Sequence, residues 1–222
     1  MPLKLPGPSN RVFVVGSTGS GKSVFMAWLL STQSVLPYKK MPVVIMDWKR
    51  ERLLNSIGAT PWPVTKRPPE RPGLYIVRLT PPRTDVVDEF LERIWQNGNT
   101  GLFLDETTDY KGSEPIERIY KQGRSLHIPC IAGAQRPTGV PVVIRSEAEF
   151  YAMFRLNDNE DRKEMRRYLG EVDVLKKRDK HHCIWYDTGE DIAVEMGPVP
   201  PPAQLRARFI WAKSQAGLRQ AV

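Results

Sequence analysis

Eight consecutive residues near the start of the chain match a pattern that binds nucleotide phosphates. They are Gly16, Ser17, Thr18, Gly19, Ser20, Gly21, Lys22 and Ser23. Glycines let the backbone wrap closely around a phosphate, and a helix that begins here turns its positive dipole end toward the same anion. The Lys22 ammonium would bind the β- and γ-phosphates, and the Ser23 hydroxyl would bind Mg²⁺. The alternative is a Gly/Ser-rich loop that matches the pattern by chance.

A second segment places two neighbouring carboxylates directly after an apolar run. Asp105 and Glu106 follow the residues Leu-Phe-Leu at 102–104. Asp105 would hold the Mg²⁺ shell, and Glu106 would polarise the water that attacks the γ-phosphate. The adjacent pair indicates hydrolysis rather than phosphoryl transfer to a metabolite. The alternative is two acids in an ordinary strand-to-loop turn.

Further polar residues stand at the ends of predicted elements. Asp47 and Gln135 each end a predicted strand, and the carboxyl ends of parallel strands line one crevice. We therefore expect Asp47, Asp105, Glu106 and Gln135 near the phosphates, with the Gln135 amide positioning water. Arg124 ends a predicted helix that runs away from the acidic pair. It is either a finger that reaches a neighbouring subunit's γ-phosphate or a cation that satisfies its own helix dipole, and spacing alone does not distinguish these.

Alternating strands and helices must position these side chains. Apolar and β-branched runs predict strands at 11–15, 42–48, 74–79, 101–104, 128–134 and 150–156, and helices at 22–33, 84–96, 114–125 and 158–169. A β-hairpin is expected at 181–187 and 191–196, and a proline-rich loop at 61–73. This order predicts an α/β fold: a mostly parallel sheet with helices on both faces, followed by the hairpin and a basic tail.

Composition limits the class of protein. The chain has 222 residues, a net charge of +8 and 41% hydrophobic residues, which suits one soluble domain over 1–222 with a core of about 11–170 and a C-terminal hairpin and tail of about 171–222. We expect no signal peptide and no transmembrane segment. Cys130 and Cys183 lie in apolar runs and are expected to be reduced and buried. The basic surplus is compatible with a polyanionic partner.

Taken together, the motifs resemble the FtsK/HerA superfamily of DNA-translocating ATPases. The segments that carry the resemblance are GSTGSGKS, DWK, LFLDE and GRSLHIPCIAGAQRP, within residues 11–170. The resemblance implies a RecA-like core that uses ATP and Mg²⁺ and acts as a ring, usually a hexamer, with double-stranded DNA through the middle. It implies that Lys22 and Ser23 bind phosphate and metal, and that Glu106 is the catalytic acid. Gln135 is then the sensor and Arg124 the finger acting in trans.

The small size of the chain narrows the branch. Motors close to this minimum look like the genome-packaging ATPases of tailless, internal-membrane double-stranded DNA viruses. That branch implies sequence-independent DNA binding, location in the host cytoplasm or at the virion vertex, and capsid-vertex or membrane proteins as further partners. A cellular or plasmid-borne pump of the same superfamily is an alternative. A non-motor P-loop enzyme is a second alternative, which the Asp-Glu pair and the GR-x(9)-Q block disfavour.

Basic clusters are candidates for contacts with DNA phosphates, which require cations but no sequence-reading pattern. Either these clusters contact DNA or they are solvated surface. They are Lys176, Lys177, Arg178 and Lys180; Arg162, Lys163, Arg166 and Arg167; and Lys66, Arg67 and Arg71 of the proline-rich loop. A zinc site at His181, His182 and Cys183 is disfavoured, because adjacent residues of a strand point to opposite faces.

Overall fold

The computed structural model describes residues 4–81, 83–170, 172–174, 176 and 178–209. One nine-stranded sheet runs through this part of the chain, in the order β3-β4-β2-β5-β6-β1-β7-β8-β9. The strands are β1 Arg11–Val15, β2 Pro42–Asp47, β3 Thr60–Pro61, β4 Gly73–Arg78, β5 Gly101–Leu104, β6 Cys130–Ala134, β7 Phe150–Phe154, β8 Cys183–Asp187 and β9 Ile192–Met196. The helices are α1 Lys22–Thr32, α2 Arg52–Asn55, α3 Asp85–Asn97, α4 Glu114–Gln122, α5 Val142–Ser146 and α6 Asn159–Arg166. Residues 202–209 are also helical.

Strands β1 to β7 pair in parallel, and the hairpin β8–β9 adds to β7 antiparallel. The α/β fold with a mostly parallel sheet is confirmed. The hairpin was predicted as an appendage, yet its strands extend the same sheet.

Alternate residues of strand β1 point into two separate cores. Phe13 and Val15 pack with α3 and α4 on one face, whereas Val12 and Val14 pack with α1 on the other. Strands β1, β2 and β5 are buried along their whole length, as interior parallel strands must be when both faces are covered. The loops that follow the carboxyl ends of these three strands are therefore anchored to a fully buried part of the sheet.

Several element ends differ from the prediction. Helix α4 stops at Gln122 rather than Ser125; Gly123 is its C-cap, and the Gly123 carbonyl accepts a hydrogen bond from the Ile128 N–H at 2.8 Å. Strand β6 begins at Cys130 rather than Ile128, since Pro129 has no N–H for the ladder. Helix α6 ends at Arg166, short of residue 169. The short elements α2, β3 and α5 were not predicted.

Candidate nucleotide-binding site

The predicted phosphate loop links β1 to α1 and is held by neighbouring strands. The Gly16 N–H donates to the Ala134 carbonyl at 3.2 Å, and the Ser17 N–H donates to the Arg155 carbonyl at 3.0 Å. A Cβ on Gly16 would lie 2.5 Å from the Cβ of Phe154, so only glycine fits there. Gly21 has a φ of 105°, a left-handed conformation that favours glycine. The loop therefore has the strand-to-helix geometry that phosphate binding requires.

Lys22 and Asp105 are both buried and influence each other electrostatically. Lys22 begins α1 and is only 5% exposed, and Asp105 directly follows β5 and is 1% exposed. Burial lowers the pKa of the Lys22 ammonium, and the negative charge of Asp105 is the strongest influence opposing that shift. Burial likewise raises the pKa of Asp105, which the Lys22 charge opposes. The two side chains thus form one buried electrostatic cluster.

The donor set beside the loop fits Mg²⁺. The Oδ2 atom of Asp105 is buried and has no hydrogen-bond partner in the described part of the chain. Ser23 occupies the first turn of α1, next to Lys22. Carboxylate and hydroxyl oxygens are the ligands that Mg²⁺ takes together with nucleotide phosphates. An unsatisfied buried carboxylate oxygen is costly unless a cation completes it.

Glu106 and Gln135 both line an open cleft of about 620 Å³. The Oε2 atom of Glu106 forms an ion pair with the Lys49 ammonium. Its Oε1 atom accepts a hydrogen bond from the Thr108 hydroxyl at 3.1 Å. The structure therefore brings Glu106 and Gln135 to one surface, and it adds Lys49, to which the sequence assigned no role.

The side chain of Asp47 does not line this cleft. It is fully buried and forms an ion pair with Arg78, and it also accepts a hydrogen bond from the Glu51 N–H at 3.2 Å. Asp47 and Arg78 are register partners on β2 and β4, so the arginine neutralises the carboxylate from the adjacent strand. The Asp47 carboxylate thus links β2 to β4 within the sheet.

Arg124 lies apart from this cluster. It follows the end of α4, is exposed, and its Nη1 atom lies 3.6 Å from Oε1 of Glu149. Glu149 Oε2 accepts a hydrogen bond from the N–H of Arg11, the first residue of β1. The phosphate loop begins at the other end of this five-residue strand, about 16 Å away at the usual rise per residue.

The basic clusters differ in accessibility. Arg178 is buried and donates to the carbonyls of Lys176 and Asp173, so it is neither solvated surface nor an exposed candidate for contact with DNA. Lys177 lies outside the described residues. In contrast, Lys66, Arg67 and Arg71 are exposed, as are Lys163, Arg166 and Arg167.

Residues of the C-terminal segment also reach the phosphate loop, which the sequence did not indicate. A Cβ on Gly21 would lie 3.0 Å from Nδ1 of His181 and 3.1 Å from Cγ2 of Val199. The Val199 N–H donates to the His181 carbonyl at 3.1 Å, which joins the two ends of the hairpin segment. No local spacing could have shown this approach, because it depends on where the hairpin joins the sheet.

The chain is similar in sequence to one protein of known role and similar in fold to several solved structures. The DNA packaging ATPase P9 of Enterobacteria phage PRD1 is 31% identical over an alignment of 227 residues, covering 97% of this chain and 98% of P9. No protein-family model matches the chain. In the described part of the chain, no helix is both long enough and apolar enough to cross a membrane.

Solved structures share the fold at lower identity. B204, the DNA-packaging ATPase from Sulfolobus turreted icosahedral virus, superposes with a TM-score of 0.68 at 19% identity over 87% of this chain and all of B204. The genome packaging NTPase B204 of Sulfolobus turreted icosahedral virus 2, in complex with AMPPCP, gives a TM-score of 0.63 at 19% identity, with 87% of this chain and 100% of that chain covered. EssC (ATPases 2 and 3) from Geobacillus thermodenitrificans gives 0.65 at 14% identity, with 93% of this chain and 44% of EssC covered.

The phosphate loop and the acidic pair thus occur on a fold shared with packaging ATPases. Identity of 31% over nearly the full length of both chains indicates common descent, and the chain belongs to the family of DNA packaging ATPases that includes P9 of phage PRD1.

Proposed function

We propose that this chain is the motor that drives double-stranded DNA into a preformed viral capsid, using the energy of ATP hydrolysis. The full-length similarity to a DNA packaging ATPase is the observation that carries the proposal. As a member of that family the chain is an ATPase. The net charge of +8 suits a partner whose surface is a row of phosphates.

Each of the site residues has a separate role in ATP hydrolysis. Lys22 and the loop N–H groups hold the triphosphate, and Glu106 accepts a proton from the attacking water. The water oxygen bonds to the γ-phosphorus as the bond from that phosphorus to the bridging oxygen breaks, leaving ADP and phosphate. Gln135 orients the water from the same cleft.

Asp105 and Ser23 are the residues that would hold Mg²⁺. Bound there, the ion would neutralise charge that develops on the phosphate oxygens. The buried, unpaired Oδ2 atom of Asp105 supports this assignment.

Arg124 is assigned to the active site of a neighbouring subunit in a ring, for which a hexamer is favoured. Arg124 is exposed and lies near the amino end of β1, whereas its own phosphate loop follows the carboxyl end of β1. Both observations support this role. A planar guanidinium can donate to two γ-phosphate oxygens at once.

The test is the rate of ATP hydrolysis with and without long duplex DNA. We expect duplex DNA to stimulate the wild-type rate, and we expect Lys22→Ala to remove both basal and stimulated activity. Lys40→Ala, which removes an exposed lysine distant in sequence from the loop, is the matched control. A rate that duplex DNA leaves unchanged would favour a P-loop enzyme that is not a DNA motor.

A further inference from the structure

Both carboxylate oxygens of Glu106 are engaged by other side chains. Lys49 pairs with Oε2, and the Thr108 hydroxyl donates to Oε1 at 3.1 Å. The Glu106 side chain is only 7% exposed, so few water molecules compete for these oxygens. The Lys49 ammonium therefore occupies a position on Oε2 from which an attacking water could otherwise approach Glu106.

Lys49 is the partner that is free to move. It follows the end of β2 by two residues, and 32% of its side chain is exposed toward the cleft that Gln135 lines. Thr108, in contrast, has a short side chain and belongs to a 3₁₀ turn that begins two residues after Glu106. The Lys49 stem has four rotatable bonds, which let its ammonium swing without any change of the backbone.

The Lys49 ammonium also belongs to the phosphate region. Burial lowers the pKa of Lys22, Asp105 opposes this shift, and Lys49 is the next influence, adding to it. The positive charge of Lys49 also lowers the pKa of Asp105, against the increase that burial causes. Lys49 thus lines the same cleft as Glu106 and Gln135, and its charge acts on both Lys22 and Asp105.

We propose that Lys49 is a second phosphate-binding cation, which transfers from Glu106 to the γ-phosphate when ATP binds and so frees Glu106 to act as the base. The proposal rests on the function proposed above and adds a residue to that site. A terminal phosphate carries more negative charge than a carboxylate, so it competes well for one ammonium. ADP has no γ-phosphate and leaves Lys49 on Glu106.

Linkage makes this transfer measurable without catalysis. If Glu106 and the γ-phosphate compete for one cation, removing the charge of Glu106 must strengthen binding of a triphosphate by the same coupling through which the triphosphate releases Glu106. Binding of a diphosphate should not change. An ion pair with only a structural role would affect the two nucleotides equally.

The experiment is calorimetric titration with Mg²⁺ and either AMPPCP or ADP. Lys49→Met should weaken AMPPCP binding by about 10-fold to 100-fold, the usual effect of losing one charged hydrogen bond, and change ADP binding less than about two-fold. Glu106→Gln should strengthen AMPPCP binding and leave ADP unchanged. The double variant should bind AMPPCP like Lys49→Met alone, because the competition no longer exists.

Lys49→Arg keeps the charge and should keep a preference for AMPPCP over ADP, whereas Lys40→Met is the control for loss of an exposed lysine. Equal weakening of both nucleotides by Lys49→Met, or no gain in AMPPCP affinity in Glu106→Gln, would overturn the inference. The Glu106→Gln arm decides the matter even if Lys49→Met does not fold. Undiminished hydrolysis by Glu106→Gln would instead contradict the proposed function itself.

Discussion

Arg124 forms an ion pair with Glu149, with Nη1 and Oε1 3.6 Å apart, at the amino end of the strand whose carboxyl end begins the phosphate loop. Glu149 is bound in turn to the backbone of Arg11, the first residue of that strand. The candidate finger is therefore held at the far end of β1 from the nucleotide of its own chain.

Arg124→Ala should fold and bind ATP but lose most of its turnover, roughly 10³-fold or more if the arginine acts as a finger. Mixing this variant with Lys22→Ala should restore part of the activity. At a mixed interface, an intact phosphate loop of one chain would meet an intact Arg124 of the other. Arg93→Ala, which removes a partly exposed arginine paired within α3, is the control. Heteromeric rings that form without any recovery would contradict a role in trans.

Glu106→Gln should bind a nucleoside triphosphate at least as tightly as the wild type and lower turnover by roughly 10²-fold to 10⁴-fold, because an amide cannot accept a proton from water. Asp109→Asn is the matched control, since Asp109 lines the same cleft without touching the proposed chemistry. Single-turnover hydrolysis and nucleotide titration measure the two quantities separately. Activity lost equally in both variants would point to damage of the cleft instead of loss of a base.

Duplex DNA should bind without sequence preference and with a steep dependence on salt. Lys66, Arg67 and Arg71 are exposed, whereas Lys163 and Arg167 pair with glutamates of their own helix. Neutralising the three loop residues should therefore lower the slope of log K against log salt concentration by up to about 2.7, or about 0.9 for each lost phosphate contact. Neutralising Lys163 and Arg167 should change the slope little. Equal slopes in wild type and the loop variant would show that the loop is solvated surface and does not contact DNA phosphates.

Cys130 and Cys183 should resist thiol reagents at pH 8 in the folded protein. Both are buried, and burial raises the pKa of each thiol to about 12, so the reactive thiolate is scarce at pH 8. In denaturant both should react rapidly, because an exposed thiol has a pKa near roughly 8.5. Colour development with a disulfide reagent, with and without denaturant, measures this. Rapid modification without denaturant would contradict the burial.

The sequence predicted the parts of the site that depend on local order. The phosphate loop, the acidic pair and Gln135 each lie within a few residues of an apolar run, and such runs formed the expected strands. The sequence did not indicate that Asp47 pairs with Arg78, because that pairing comes from the register of a neighbouring strand. The pairing of Lys49 with Glu106 is likewise a contact between loops that follow different strands, β2 and β5. Residues far apart in the chain meet here for reasons of topology, which no spacing reveals.

Movement of the protein along duplex DNA tests the proposed motor function most directly. A third strand bound to a duplex is displaced when a motor travels through it, and the released oligonucleotide can be followed by fluorescence. The wild-type chain should displace this strand with ATP and fail to do so with AMPPCP, and Glu106→Gln should fail with either nucleotide. DNA-stimulated ATP hydrolysis without displacement, with the protein assembled on the duplex, would contradict a role as a DNA-packaging motor.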